Sequence, residues 1–145
     1  MDRIAMAGHL IRRLHQQSTQ VFHERTQAAG LDLTSVQFAA LDAIARQPGI
    51  DQASLAGAIS FDRATIGGVI ERLESKGLVR REVNDQDRRA RCLHLTAEGS
   101  QLLASSRPVV EALQADILAA LSPAERRAFV ALAQKALGLD PGRAR

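Results

Sequence analysis

The sequence has one cysteine, Cys92, no tryptophan, no tyrosine and four phenylalanines in 145 residues. A single thiol cannot close an internal disulfide, and it makes a cysteine-built metal site a poor expectation. The shortage of aromatics argues against a grip on single-stranded nucleic acid, where bases stack on aromatic rings. Duplex DNA is the better-suited polynucleotide. No apolar run approaches the roughly 20 residues that span a bilayer. The opening stretch is charged throughout and lacks the apolar heart of a signal peptide. These absences predict a cytoplasmic protein with no membrane partner. No internal repeat and no low-complexity linker interrupts the chain.

What is present supports a folded core, since hydrophobic residues make up 46% of the chain. The length fits one domain, or one binding unit sharing its core with a dimerisation unit. A net charge of +3 and a pI near 10.0 suit nucleic acid without requiring it. Placement says more. Lys76, Arg80, Arg81, Arg88, Arg89 and Arg91 fall within residues 76–91, opposed there by Glu82, Asp85 and Asp87.

Hydrophobic spacing predicts a first helix over 3–29, with Ile4, Ala7, Ile11, Leu14, Ser18 and Val21 in a coiled-coil-like stripe and Gly30 as its stop. Thr34 and Gln37 form a capping box for a second helix, whose apolar face is Val36, Phe38, Leu41 and Ile44. Pro48-Gly49 ends it. Asp51 can cap a short third helix over 52–58, and a break at 60–62 leads to a fourth over 63–76. Ile66, Val69, Ile70 and Leu73 are the inner face of that helix, and Gly77 suits its left-handed cap. The period then shortens to two. A strand over 78–83, turn chemistry at 84–87 and a returning strand over 91–95 read as a hairpin. Thr96 starts a long helix to about 121, which Pro108 is expected to kink. Ser122, Pro123 and Glu125 cap a last helix bearing Phe129, Val130, Leu132, Ala133 and Leu137, and the tail after Gly138 is expected to fray.

This order predicts a mainly α fold with a small β-hairpin wing: a winged helix-turn-helix. Residues 34–96 would form the DNA-binding lobe. Residues 1–33 and 97–145 would form a helical dimerisation region, because their apolar stripes exceed what one small domain can cover. The outward face of the fourth helix carries Arg63, Ala64, Thr65, Gly67, Gly68 and Arg72. Small residues allow close approach to base edges, arginine can pair with guanine, and threonine can meet a phosphate or a thymine methyl. The plain alternative is a solvated helix face. The hairpin tip, Arg88-Arg89 after Asp87, suits a narrow minor groove, where negative potential is strongest. Asp87 would pair with Arg89 or Arg91 and hold the tip in shape.

The stretch from Asp87 to Thr96 fits D-x-R-x-x-x-x-x-L-T, a pattern that resembles the wing of the MarR family. Ile70-Glu71-Arg72-Leu73-Glu74-Ser75-Lys76-Gly77-Leu78-Val79 is similar to that family's recognition-helix exit, and Thr96-Ala97-Glu98-Gly99 to the T-x-x-G opening of its next helix. The resemblance implies a homodimer on a pseudo-palindromic duplex, with half-sites about one helical turn apart. It further implies a repressor of neighbouring genes that leaves DNA when a small, often aromatic, anion binds. The stretches 8–13 and 62–70 also resemble regulators of nicotinate and other aromatic-acid breakdown.

His9, Arg12, Arg13, Gln16 and Gln20 share a polar face of the first helix. Cations and amide donors side by side suit a carboxylate, which arginine can hold in bidentate fashion. A small aromatic or heteroaromatic carboxylate is therefore the expected effector, in the pocket that the family places between dimerisation helices and DNA-binding lobe. The alternative is again an ordinary solvated face. His9, His15 and His23 are spaced six and eight apart, which does not suit ligation from adjacent turns, so no metal or other cofactor is expected. The family's peroxide sensors carry a cysteine near the first helix, and this chain has none there. Cys92 sits beside Leu93, a core position by pattern, where a thiol would be inert. No nucleophile–base set, carboxylate pair or phosphate loop supports an enzyme. The rival readings are a winged-helix protein–protein adaptor without DNA binding, and an oxidant-sensing regulator acting through Cys92.

Overall fold

The computed structural model describes residues 2, 5–59, 63–83 and 91–139. Its elements run α1 (Ala7–Ala28), α2 (Ser35–Arg46), β1 (Ile50–Asp51), α3 (Gln52–Ala58), α4 (Arg63–Ser75), β2 (Val79–Val83), β3 (Arg91–Leu95), α5 (Ala97–Ile117) and α6 (Pro123–Ala136). Ile4, the break at 60–62, the turn at 84–87, Arg88, Arg89 and the tail beyond 139 lie outside the described residues.

The helix starts follow their capping chemistry. Thr34 Oγ1 accepts from the Gln37 N–H at 3.2 Å, and Gln37 Oε1 accepts from the Thr34 N–H at 3.1 Å. Asp51 Oδ1 accepts from the Ser54 N–H at 2.7 Å. Ser122 and Glu125 repeat the reciprocal box at the start of α6. Each pair satisfies backbone donors that the first helical turn leaves without partners. Gly77 takes φ +75°, which lets the chain leave α4 and turn at once into β2.

The sheet has three antiparallel strands in the order β1-β3-β2. Sequence pattern anticipated only the hairpin. β1 is two residues long, too short to show a period, and is held where Ile50 pairs with Leu93 and the Gly49 N–H reaches the Leu93 carbonyl at 2.9 Å. Leu93 turns into the core, so Cys92 and His94 share the other face, and Cys92 is half-buried rather than enclosed as its neighbour had suggested.

Two apolar clusters organise the chain. The larger gathers α2, α3, α4, the sheet and the start of α5: Leu41, Ile44, Leu55, Ile66, Ile70, Leu73 and Leu93 are all fully buried within it, and Leu33 and Leu103 belong to it. The smaller joins α1 to α5 through Phe22, Val110 and Leu113. Phe38 packs on both, with its ring centroid 6.5 Å from that of Phe22. α5 passes through Pro108 without a break and ends at Ile117 rather than near 121. Val110 and Leu113, just beyond the proline, are buried and keep that part of the helix against α1.

The ends contrast with the lobe. Met6, Leu10 and Ile11 are exposed, α6 has no buried residue, and Phe129, Val130, Leu132, Leu137 and Leu139 are exposed. No helix among the described residues is long and apolar enough to cross a membrane.

Candidate DNA interface and ligand face

The second helix of the helix-turn-helix, α4, is set by its buried side. Ile66, Ile70 and Leu73 are fully buried against the lobe, which turns Ala64, Thr65, Gly68 and Arg72 to solvent. The two glycines differ. A β-carbon on Gly68 would meet nothing within 4 Å, whereas one on Gly67 would lie 3.3 Å from Nε2 of Gln52. Gly68 is thus open to an incoming surface, and Gly67 accommodates a neighbour on α3. Arg63 opens α4 and Arg91 opens β3 opposite Val83. Asp87, Arg88 and Arg89, the expected wing tip, fall outside the described residues.

The base of the wing is braced onto α4. Arg81 Nε on β2 lies 3.4 Å from Glu74 Oε1 on α4. On the solvent side of the sheet, Glu82 sits 3.0 Å from Arg80 and 3.5 Å from Nε2 of His94. Lys76 folds back onto the α1–α2 connection, donating to the Asp32 carbonyl at 3.1 Å and to Gln37 Oε1 at 3.3 Å, and pairing with the Asp32 carboxylate at 3.2 Å. Of the basic run read from sequence, Lys76, Arg80 and Arg81 are therefore tied to protein carboxylates. The brace of Arg81 and the position of Gln52 were not foreseen. Neither shows in a hydrophobic period, because each depends on contact between separate elements.

The polar face of α1 is a different case. Phe22 and Thr26 are buried, and with half-buried Ser18 and Val21 they define the side packed on the protein. At about 100° per residue, Arg13, Gln16 and Gln20 lie on the far side. His9 is half-buried, and Arg12, Arg13 and Gln16 are exposed. The helix brings these four onto neighbouring turns, but among the described residues none of them lines either of two clefts. One cleft, about 510 Å³, lies between α5 and α6 and is lined by Gln114, Leu118, Pro123, Arg126 and Val130 among others. The other, about 380 Å³, lies where α1 meets α2, beside His23, Thr26, Leu31 and Leu33.

A model of the MarR family matches residues 33–90, a range that takes in α2, β1, α3, α4 and β2. Over 129 residues the chain is 40% identical to the transcriptional regulator HosA of Escherichia coli, covering 89% of this chain and 93% of that protein. The chain belongs to the MarR family. As a MarR-family transcriptional regulator, it is not an enzyme. Two solved structures superpose over almost the whole chain. PcaV of Streptomyces coelicolor, a transcriptional regulator solved with its natural ligand, gives a TM-score of 0.85 at 29% identity, covering 95% of this chain and 96% of that one. BpsR of Bordetella bronchiseptica, whose DNA binding is regulated by 6-hydroxynicotinic acid, gives 0.85 at 32% identity, covering 93% and 95%.

Proposed function

We propose that this MarR-family member is a homodimeric, sequence-specific binder of duplex DNA, a repressor released by a small aromatic or heteroaromatic carboxylate. The observation that carries the DNA-binding reading is the outer face of α4, where Thr65, Gly68 and Arg72 stand exposed on a helix whose other side is fully buried. A rigid helix with a small and basic outer face meets the steric and hydrogen-bonding demands of a major groove. Gly77 and the Arg81–Glu74 contact carry the chain directly from that helix into the wing. Arg63, Arg72, Arg88, Arg89 and Arg91 supply the cations, and Asp87 orients the tip.

Residues 34–96 form the DNA-binding lobe in this reading, and 1–33 with 97–145 the dimerisation region. Support for that division lies in the exposed apolar side chains of α1 and α6, and in the open apolar cleft between α5 and α6. A second copy is the partner that would cover both. The effector site would use His9, Arg12, Arg13 and Gln16, with the similarity to BpsR favouring a heteroaromatic acid. Because α1 turns those residues away from its own packed side, an enclosed pocket there needs the second copy.

A titration of labelled genomic fragments across a salt series tests the reading. Binding of one fragment class well above random DNA, falling steeply with salt as counterions are released, is the expected result. A protein–protein adaptor would give no saturable complex on any fragment.

A further inference from the structure

We infer that Gln52 is a DNA-contacting residue whose side-chain amide, seated in the notch that Gly67 leaves on α4, donates to a backbone phosphate of the operator. The inference rests on the DNA-binding reading above and assigns a residue which that reading does not use.

Gln52 is the first residue of α3 and is half-buried. Its Nε2 lies 3.3 Å from where a β-carbon on Gly67 would stand, a separation that would force the amide to move by a few tenths of an ångström. Glycine at 67 therefore holds open the seat of the Gln52 amide. Among the described residues that amide has no hydrogen-bond partner. A half-buried amide without a protein partner is matched either by water or by a ligand.

The seat has a definite place on the interface. Around α4, Ile66 and Ile70 mark the buried side, while Ala64 and Gly68 mark the exposed one. Gly67 is half-buried and lies between the two, on the flank that faces α3. The Gln52 amide thus stands at the rim of the helix-turn-helix, beside the surface that enters the groove. In this motif the first helix crosses the sugar–phosphate backbone while the second reads bases. A rim amide on the first helix accordingly meets phosphate. It positions the protein and carries no base preference of its own.

The test uses the full chain and a duplex that the wild-type protein itself selects from a random-sequence library, with affinity read by fluorescence anisotropy across salt. Gln52→Ala should bind about tenfold more weakly or worse, since a hydrogen bond to a charged group is lost in each half-site. The loss should be equal on all selected sequences, with an unchanged melting temperature. Gln52→Lys should keep affinity and steepen the salt dependence by about one phosphate's worth per half-site. Gly67→Ala should weaken the wild-type protein but cost nothing further in the Gln52→Ala background, a coupling that Gly67 touching DNA on its own would not produce. Wild-type affinity in Gln52→Ala overturns the inference. So does a relaxed preference at one base position, which would make Gln52 a base reader. Failure of the wild-type protein to select any duplex is a separate outcome that removes the DNA-binding reading and this residue's role with it.

Discussion

The carbonyl oxygen of Leu78 fills the space into which a β-carbon on Gly99 would project. Around that contact hydrogen bonds hold the two segments together. The Thr96 N–H donates to the same Leu78 oxygen at 3.0 Å, the Thr96 hydroxyl donates to the Gly77 carbonyl at 2.6 Å, and the Gly99 N–H donates to Thr96 Oγ1 at 3.0 Å. The T-x-x-G sequence is therefore a structural joint between the exit of α4 and the start of α5. Gly99→Ala must push the Leu78 backbone, between α4 and β2, off α5, and the overpacking should cost about 1–3 kcal/mol. Urea denaturation reads it directly. A variant as stable as the wild type would mean that the joint yields without strain.

A second joint links α2 to α5. Arg107 Nη2 on α5 lies 2.7 Å from Asp42 Oδ1 on α2, at an angle outside hydrogen-bond geometry, and Arg46 Nε donates to Asp42 Oδ2 at 3.0 Å. The Arg46 side chain is 74% exposed and that of Arg107 39%. Water screens the Asp42–Arg46 pair more than the Asp42–Arg107 pair. Double-mutant cycles should give about 1 kcal/mol for Asp42–Arg107 and about 0.3–0.5 kcal/mol for the i,i+4 pair Asp42–Arg46. The reverse order would show that the α2–α5 contact is not where the lobe is held.

Much of this architecture was legible in the sequence because it is written locally. Thr34, Asp51 and Ser122 each announce a helix start within three or four residues, and all three caps form. The MarR resemblance of the wing and of the α4 exit agrees with the family match over 33–90. β1 escaped because its partner, β3, is some forty positions away in the chain. The pairing of Lys76 escaped for the same reason: Asp32 is far off in sequence, and a cation in a basic run looks free until the fold is known. The polar stripe of α1 was correctly gathered on one helix face, but sequence period does not say which side of the helix the protein occupies.

Glu125 offers a test by pH. Its carboxylate accepts the Ser122 N–H at 2.9 Å, and this backbone donor, with a further contribution from the Ser122 hydroxyl, favours the ionised form and holds its pKa below the ordinary glutamate value. A depressed folded-state pKa means that the box stabilises α6 above the ordinary value and loses that stabilisation as pH falls through the folded one. Ser122→Ala removes the hydroxyl and keeps the backbone donor. The Glu125 pKa, followed by NMR titration of its side chain, should therefore rise part of the way back, and the fall in stability should be larger at neutral pH than in strong acid. An unmoved titration would mean that the backbone donor alone sets the shift.

The effector reading turns on Arg13. Its side chain is exposed on the side of α1 away from buried Phe22 and Thr26, so replacing it removes no packing in the protomer. A ligand that binds only the folded dimer stabilises it with the logarithm of its concentration over Kd, by about 2.7 kcal/mol at a hundredfold excess, and raises the melting temperature accordingly. A panel of benzoates, nicotinate and 6-hydroxynicotinate should contain at least one acid that shifts the wild-type protein. Arg13→Ala should abolish the shift while its own melting point in buffer stays close to wild type, because a bidentate carboxylate contact is lost and nothing else is. An equal shift in the variant would take Arg13 out of the site. A shift lost together with the dimer, read by sedimentation, would make Arg13 an interface residue instead of a ligand-binding one.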